Sequence, residues 1–139
     1  MELSEAIRTG YFDNLQGAVS APGFDAFALP EGTPYPYWLV SSQTEVQREV
    51  TDGKVYDATV LIDIVTGSMD PIGRDQAEGI ADEIEAIINP DNGNDIDISA
   101  YGYEIGDTNR EQGFDGFARS GSFYIFRKLI RYRHIIHKI

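Results

Sequence analysis

The stretch YDATVLIDIVTGSMDPIGRDQAEGIADEIEAII, residues 56–88, decides how this chain folds. Across residues 56–66, one apolar set of side chains alternates with a second set that includes Asp57 and Asp63, and this period of two is typical of a strand with one buried face. Across residues 72–88 the apolar side chains recur at helical spacing, with most acids on the other side. The stretch therefore predicts a strand followed by an amphipathic helix.

Boundary residues stand at both ends of this helix. Asp70 can cap its amino end, and Pro71 suits the first helical position because its missing N–H would have no intrahelical partner. Asn89-Pro90 predicts where the helix ends. The short segment Thr66-Gly67-Ser68 then reads as the turn between strand and helix.

The residues before this unit predict a helix, a loop and a strand. Apolar residues at helical spacing from Leu3 to Val19 predict a first helix. Residues 24–36 contain several prolines and predict an irregular surface loop. Residues 37–44 predict a strand, joined to residues 56–66 by a turn at Asp52-Gly53; longer strands would extend this pair as an arm.

The residues after the central helix predict two strands. Residues 96–105 alternate well enough for a strand, whereas the glycine-bearing residues 106–121 predict a long loop. Residues 122–136 predict a long last strand with a basic side. We therefore expect residues 1–139 to form one α+β domain, in the order α-β-β-α-β-β. About four mainly antiparallel strands would form a single sheet, with two helices on one face.

Charge is strongly divided along the chain. The net charge is −12, and all 23 acidic residues lie at or before Asp115, whereas six of the 11 basic residues follow it. The basic last strand can fold against acids of its own chain or against an acidic face of a neighbouring copy, and the sequence leaves both arrangements open. Because an acidic surface repels phosphate, the composition disfavours non-specific nucleic-acid binding.

No motif predicts catalysis, a cofactor or a metal site. The run from Asp91 to Asp95 resembles the start of a calcium loop, but it lacks the glycine and glutamate that such a loop needs further on. His134 and His137 are three apart, which in a strand points them to opposite faces, so we expect packing or solvent-facing roles. Asp57 and Asp63 alternate out of the buried face, so we expect solvent there.

Composition also bears on the compartment. The chain has no cysteine, which excludes disulfides and thiolate metal sites, and its apolar runs are far shorter than the roughly 20 residues of a spanning helix. The amino end, MELSE, lacks the basic and apolar regions of a signal peptide. We therefore expect a soluble, cytoplasmic protein with no membrane partner.

The order of elements and a few motifs carry a resemblance to a known family. The motifs are Pro34-Tyr35-Pro36-Tyr37, the strand at 56–66, Thr66-Gly67-Ser68 and, on the central helix, QAEGIADEI at 76–84. Over roughly residues 1–135 the chain resembles the tail-terminator (tail-completion, minor tail) family of long-tailed bacteriophages and prophages. The resemblance implies a structural virion protein that forms a hexameric ring on the tail tube and joins tail to head.

The resemblance implies partners rather than catalytic residues. The expected partners are further copies of the chain, the major tail-tube protein and the head or neck completion proteins, with no sequence-specific nucleic acid. The expected location is the virion tail, after assembly in the host cytoplasm. The segment 106–121 and the basic carboxyl end depart from the family pattern.

The charge division selects candidate interface residues. We expect basic residues of the last strand and acids of the first hairpin to contact a neighbouring subunit or the tail tube. These candidates are Arg127, Arg131, Arg133, Glu45, Glu49 and Asp52. The alternative is a small-ligand-binding or enzymatic α+β domain that uses the aromatic residues of segment 24–38 as a pocket wall.

Overall fold

The computed structural model describes residues 1–50, 53–70, 73–89, 91, 93 and 95–139, with the backbone alone at residues 49, 50 and 112. The predicted turn at Asp52-Gly53 lies partly outside the described residues, and the predicted helix start at Pro71 lies wholly outside them.

The described chain contains two α-helices and one five-stranded sheet. In chain order the elements are α1 (Leu3–Leu15), β1 (Gly23–Asp25), β2 (Tyr37–Val50), β3 (Gly53–Ser68), α2 (Gly73–Ile87), a 3₁₀ helix (Ser99–Tyr101), β4 (Tyr103–Ser120) and β5 (Phe123–Lys138). The strand order is β1-β2-β3-β5-β4, antiparallel except for the parallel pair of β1 and β2. The α+β class is confirmed, but the prediction of about four strands in the order α-β-β-α-β-β is wrong because it omits β1.

Both helices pack on one face of the sheet and form its core. Alternate residues of β3, the set from Ala58 to Ile64, are at most 1% exposed and meet the apolar stripes of both helices. Each fully buried Val or Ile contributes roughly 1.5–3 kcal/mol. Trp38 of β2 is also fully buried, stacks on Phe12 of α1 and donates its indole N–H to Ala21 O at 2.9 Å. The predicted strand and central helix therefore form the scaffold of the domain.

Residues 106–121, predicted as a loop, instead form most of β4 and its turn to β5. The pairing of β4 with β5 has two irregularities, between Ile105 and Asp107 and between Arg110 and Gln112. Each one shifts the side-chain alternation by a residue, so the period of two is lost in the sequence. Gly106 lies at the first irregularity, where an added Cβ would come 2.8 Å from His137 Nε2.

Four smaller predictions are also corrected. The predicted third strand at 96–105 is wrong because Ser99–Tyr101 is a 3₁₀ helix and β4 begins only at Tyr103. Residues 66–68 are not a turn, since β3 continues to Ser68 in register with β5. The first helix ends at Leu15 rather than near Val19, and the loop 24–36 hides the short strand β1.

Candidate interaction surface

The three candidate arginines of β5 lie on the sheet face that carries no helix, because they alternate with residues of the core. This helix-free side of the sheet is called the open face. Arg127 donates to the carboxylate of Asp63, and Arg133 donates to that of Asp57, in each case through both Nε and Nη2. This two-pronged geometry matches a carboxylate. Arg131 pairs with Glu111 of β4, with 3.3 Å between Nε and Oε2. All three arginines therefore pair within the chain.

The acids in these pairs are covered rather than solvated. Asp57 and Asp63 are each 7% exposed, so the expectation of a solvated face is wrong at both positions. The arginine side chains opposite them supply the cover and the charge. The hydrogen bond from Arg133 holds the pKa of Asp57 below its ordinary value. The open face is therefore held by ion pairs between β3, β5 and β4.

The candidate acids do not join the arginines in the described structure. Glu45 is exposed on β2 and stands opposite Ala58 of the core in register, so it projects from the helix side of the sheet. The side chain of Glu49 and the whole of Asp52 lie outside the described residues. A role for these residues in an interface with another chain stays a prediction.

Two long strand edges lie at opposite sides of the sheet. β1 covers β2 only at the level of Trp38, Leu39 and Val40, so that within the described chain no strand pairs with the outer side of residues 41–50. β4 is the edge strand on the other side, and its residues 112–120 pair with β5. Free edges of this kind present backbone donors and acceptors to other chains.

Exposed apolar side chains accompany these edges. Phe27 follows β1 and is 93% exposed, while Phe117 of β4 is 65% exposed. Phe117 also lines an apolar groove of about 300 Å³ together with Gly73, Arg74, Tyr124 and Phe126. The rings of Phe117 and Tyr124 lie 6.0 Å apart. Aromatic side chains in such positions are typical of interface centres.

Apart from the exposed Phe27, the aromatic residues of segment 24–38 pack on one another and on the sheet. Tyr35 stacks on Tyr37 with ring centroids 5.6 Å apart and also meets Phe123 of β5 at 5.7 Å. Phe24 meets Tyr37 edge to face at 6.4 Å. These contacts fix the loop on the open face of the sheet, near the start of β5.

A hydrogen-bonded network of buried polar side chains on the helix side of the sheet was not predicted from the sequence. Tyr11 of α1 lies 2.5 Å from Nε2 of His134, and Thr108 Oγ1 lies 2.8 Å from Nδ1. Thr108 in turn donates to Asp95 Oδ2 at 2.6 Å. Because the hydroxyl hydrogen of Thr108 goes to Asp95, the hydrogen of neutral His134 is assigned to Nδ1, and Tyr11 donates to Nε2. Every polar hydrogen of these side chains then has an acceptor.

Burial sets the protonation states of His134 and Tyr11. His134 is fully buried, and its desolvation lowers its pKa from 6.5 to about 4, although the charge of Asp95 acts in the opposite direction. Burial also raises the pKa of Tyr11 well above its usual value. The signal in the sequence was the alternation of Ile130, Tyr132, His134 and Ile136, which places His134 on the core face.

Tyr132 borders a second polar feature, a cavity between α2 and β4. It is 1% exposed, and in the described part of the chain its phenol oxygen has no hydrogen-bond partner. Burial and then the charge of Glu85 raise its pKa. The cavity measures about 540 Å³, and its other lining residues are Glu85, Ile88, Asn89, Asp91, Asp107, Thr108, Asn109 and Arg110.

Comparisons with known proteins place the chain in no family. A scan against protein-family models found no match, and a search of the curated proteins found none either. Over the residues that the structure describes, no helix is both long and apolar enough to cross a membrane.

Proposed function

We propose that this protein is a structural subunit that assembles with copies of itself into a closed ring. The observation that carries the proposal is the pair of unpaired strand edges at opposite sides of one sheet, described for residues 41–50 of β2 and 112–120 of β4. Two different surfaces at opposite sides of a subunit favour head-to-tail contacts, and these close into a ring when the rotation between copies permits.

Within that class, we propose a tail terminator of a phage or prophage. The ring would be a hexamer that caps the tail tube and joins it to the head or neck completion proteins in the virion tail. The support for this narrower proposal is the resemblance carried by Pro34-Tyr35-Pro36-Tyr37 and the strand and helix motifs of residues 56–84. The net charge of −12 also suits a ring whose channel must let DNA pass without holding it.

The test measures assembly of the full chain. Native mass spectrometry and negative-stain images would be recorded over rising protein concentration in low salt, alone and with the tail-tube protein encoded beside it. Rings of one fixed copy number, seated on tube ends, are the expected result. Monomers at every concentration, with and without the tube protein, would contradict the proposal. Neighbouring genes for portal, capsid and tube proteins are the expected genomic context.

The second candidate is a small-ligand-binding or enzymatic domain. One observation favours it: the cavity of about 540 Å³ beside the unpartnered phenol of Tyr132 is within the size range of ligand sites. A binding role at this cavity predicts that a monomer retains saturable binding of a small polar molecule, lost in Tyr132→Phe. A ring without such binding favours the first candidate.

A further inference from the structure

The groove beside β4 and β5 has a mainly apolar lining that could accept an apolar side chain. Its lining comes from two elements, with Phe117, Tyr124 and Phe126 on the β4–β5 hairpin and Gly73 and Arg74 at the start of α2. Thr66 Oγ1 donates to Gly73 O at 2.8 Å, which holds the helix start against the sheet. A Cβ at position 73 would come 2.7 Å from that same hydroxyl oxygen, so glycine permits the close approach.

Phe27 is an exposed apolar side chain on a turn that hydrogen bonds hold in place. Asp25 ends β1 and fixes the following turn, because its side chain accepts the N–H of Phe27 at 2.9 Å and its carbonyl accepts that of Ala28 at 3.0 Å. Ala26 and Leu29, on either side, are partly buried against the apolar cluster of the open face. Phe27 projects, 93% exposed, from a loop that is anchored on both sides.

The sheet order places these two features at opposite sides of the molecule. Phe27 follows β1 at one edge of the sheet, whereas Phe117 lies on β4 at the other edge. One copy therefore does not bring its own Phe27 into its own groove across the intervening strands. Head-to-tail contact between two copies does bring a projection and a groove together.

Charges beside the two features are complementary. Arg119 lies over the Tyr124 ring at 5.2 Å, and no carboxylate of the described chain is paired with it. Glu31, four residues beyond Phe27 on the same loop, is exposed and likewise has no described ion-pair partner. A second copy that presents its loop to the groove would bring an acid toward the exposed guanidinium of Arg119.

We propose that Phe27 of one copy inserts into the groove formed by Gly73, Arg74, Phe117, Tyr124 and Phe126 of a second copy. Repetition of this contact around the ring would leave no exposed Phe27 and no open groove. The inference rests on the proposed self-assembly and names the contact that produces it.

The absence of natural cysteine allows a direct cross-linking test. Chains carrying Phe27→Cys and chains carrying Phe117→Cys, with tags of different length, are mixed under mild oxidation at a concentration well above that needed for wild-type assembly, since each substitution removes one ring of the proposed contact. The expected product is the mixed disulfide dimer, with little product from either variant alone, since a head-to-tail contact never places two copies of position 27 together. Both positions are exposed, so neither substitution threatens the core.

Phe114→Cys is the matched control for position 117. Phe114 is 45% exposed on the same strand, but it stands opposite Leu129 and projects from the open face, away from the groove. Cross-linking of position 27 to 117 at least ten-fold faster than to 114 supports the proposal. In addition, Phe27→Ala should raise the concentration needed for assembly at least ten-fold.

The outcomes distinguish the proposed contact from the proposed self-assembly. If the wild-type chain assembles but positions 27 and 117 cross-link no faster than 27 and 114, the contact is wrong while self-assembly stands. If the wild-type chain stays monomeric at all concentrations, both fail. Assembly that Phe27→Ala leaves unchanged also overturns the contact.

Discussion

Tyr11 and His134 are joined by a hydrogen bond of 2.5 Å although 123 positions separate them in the chain. The bond connects the first helix to the last strand through the middle of the core. Because Thr108 and Asp95 continue it, four side chains from distant parts of the sequence form one satisfied buried network. Such a network stabilises the fold only while each member keeps its protonation state.

The first prediction concerns pH. The unfolded chain binds a proton at His134 below about pH 6.5, whereas the folded chain resists it down to about pH 4. Stability from the neutral histidine is therefore complete above pH 6.5 and is lost as the pH falls toward 4. Between pH 7 and 5 this loss amounts to roughly 2 kcal/mol.

The measurement is urea unfolding of the wild type, His134→Gln and His137→Gln at both pH values. His137 lies on the same strand but is exposed, so it serves as the control. We expect His134→Gln to reduce the loss between pH 7 and 5, and His137→Gln to leave it unchanged. An equal loss in all three proteins would show that other groups cause the pH dependence.

The second prediction compares two buried phenols. Tyr11→Phe leaves His134 Nε2 without its donor in the core and should lower stability by about 1–3 kcal/mol. Tyr132→Phe removes a phenol oxygen that has no partner in the described chain, so stability should stay the same or rise by up to about 1 kcal/mol. Chemical denaturation measures both, and equal losses would contradict the assigned network.

The third prediction uses one substitution with opposite results at two sites. At Gly23 of β1 an added Cβ would lie 2.1 Å from the ring of buried Trp38, whereas at Gly79, on the exposed side of α2, it would meet nothing within 4 Å. Gly23→Ala should therefore cost roughly 3 kcal/mol or more, because the indole must move. Gly79→Ala should add about 0.5–1 kcal/mol through helix propensity.

Thermal or urea unfolding of the two alanine variants decides this comparison. A loss at both sites would show that α2 has no room on its outer side. No change at Gly23 would show that Trp38 can leave its position, against its packing on Phe12.

The sequence predicts local elements well where one pattern dominates. The strand at 56–66 and the helix at 72–88 were found with nearly the predicted bounds because their patterns have no irregularity. β4 was missed because two shifts in its pairing with β5 interrupt the alternation. The network of Tyr11 and His134 was missed for another reason. Its members lie far apart in the sequence, and only the tertiary fold brings them together.

The candidate surface shows the same limit. The division of charge singled out Arg127, Arg131 and Arg133, which lie on one face of the sheet, but it could not choose between partners inside and outside the chain. That choice depends on the register of β3 against β5, which places Asp57 and Asp63 within reach of two of them.

The last prediction separates folding from assembly at two of these arginines. Arg133 donates to Asp57, which is 7% exposed, through both Nε and Nη2, so Arg133→Ala should lower stability, although Arg48 remains 3.4 Å from the same carboxylate. Arg131 pairs only with Glu111, whose side chain is 30% exposed, so Arg131→Ala should cost less than about 1 kcal/mol. Charge reversal at Arg133 would therefore disturb the fold as well as any interface.

Arg131→Glu is accordingly the variant that tests the interface, with Lys138→Glu, an exposed basic residue near the end of β5, as the control. If the open face meets a neighbouring subunit, sedimentation in low salt should show weaker assembly for Arg131→Glu, with a melting temperature close to that of the wild type. Lys138→Glu should assemble normally, because it changes the net charge equally but lies away from the paired arginines. Unchanged assembly of Arg131→Glu would remove this arginine from the interface and confine its role to the pair with Glu111.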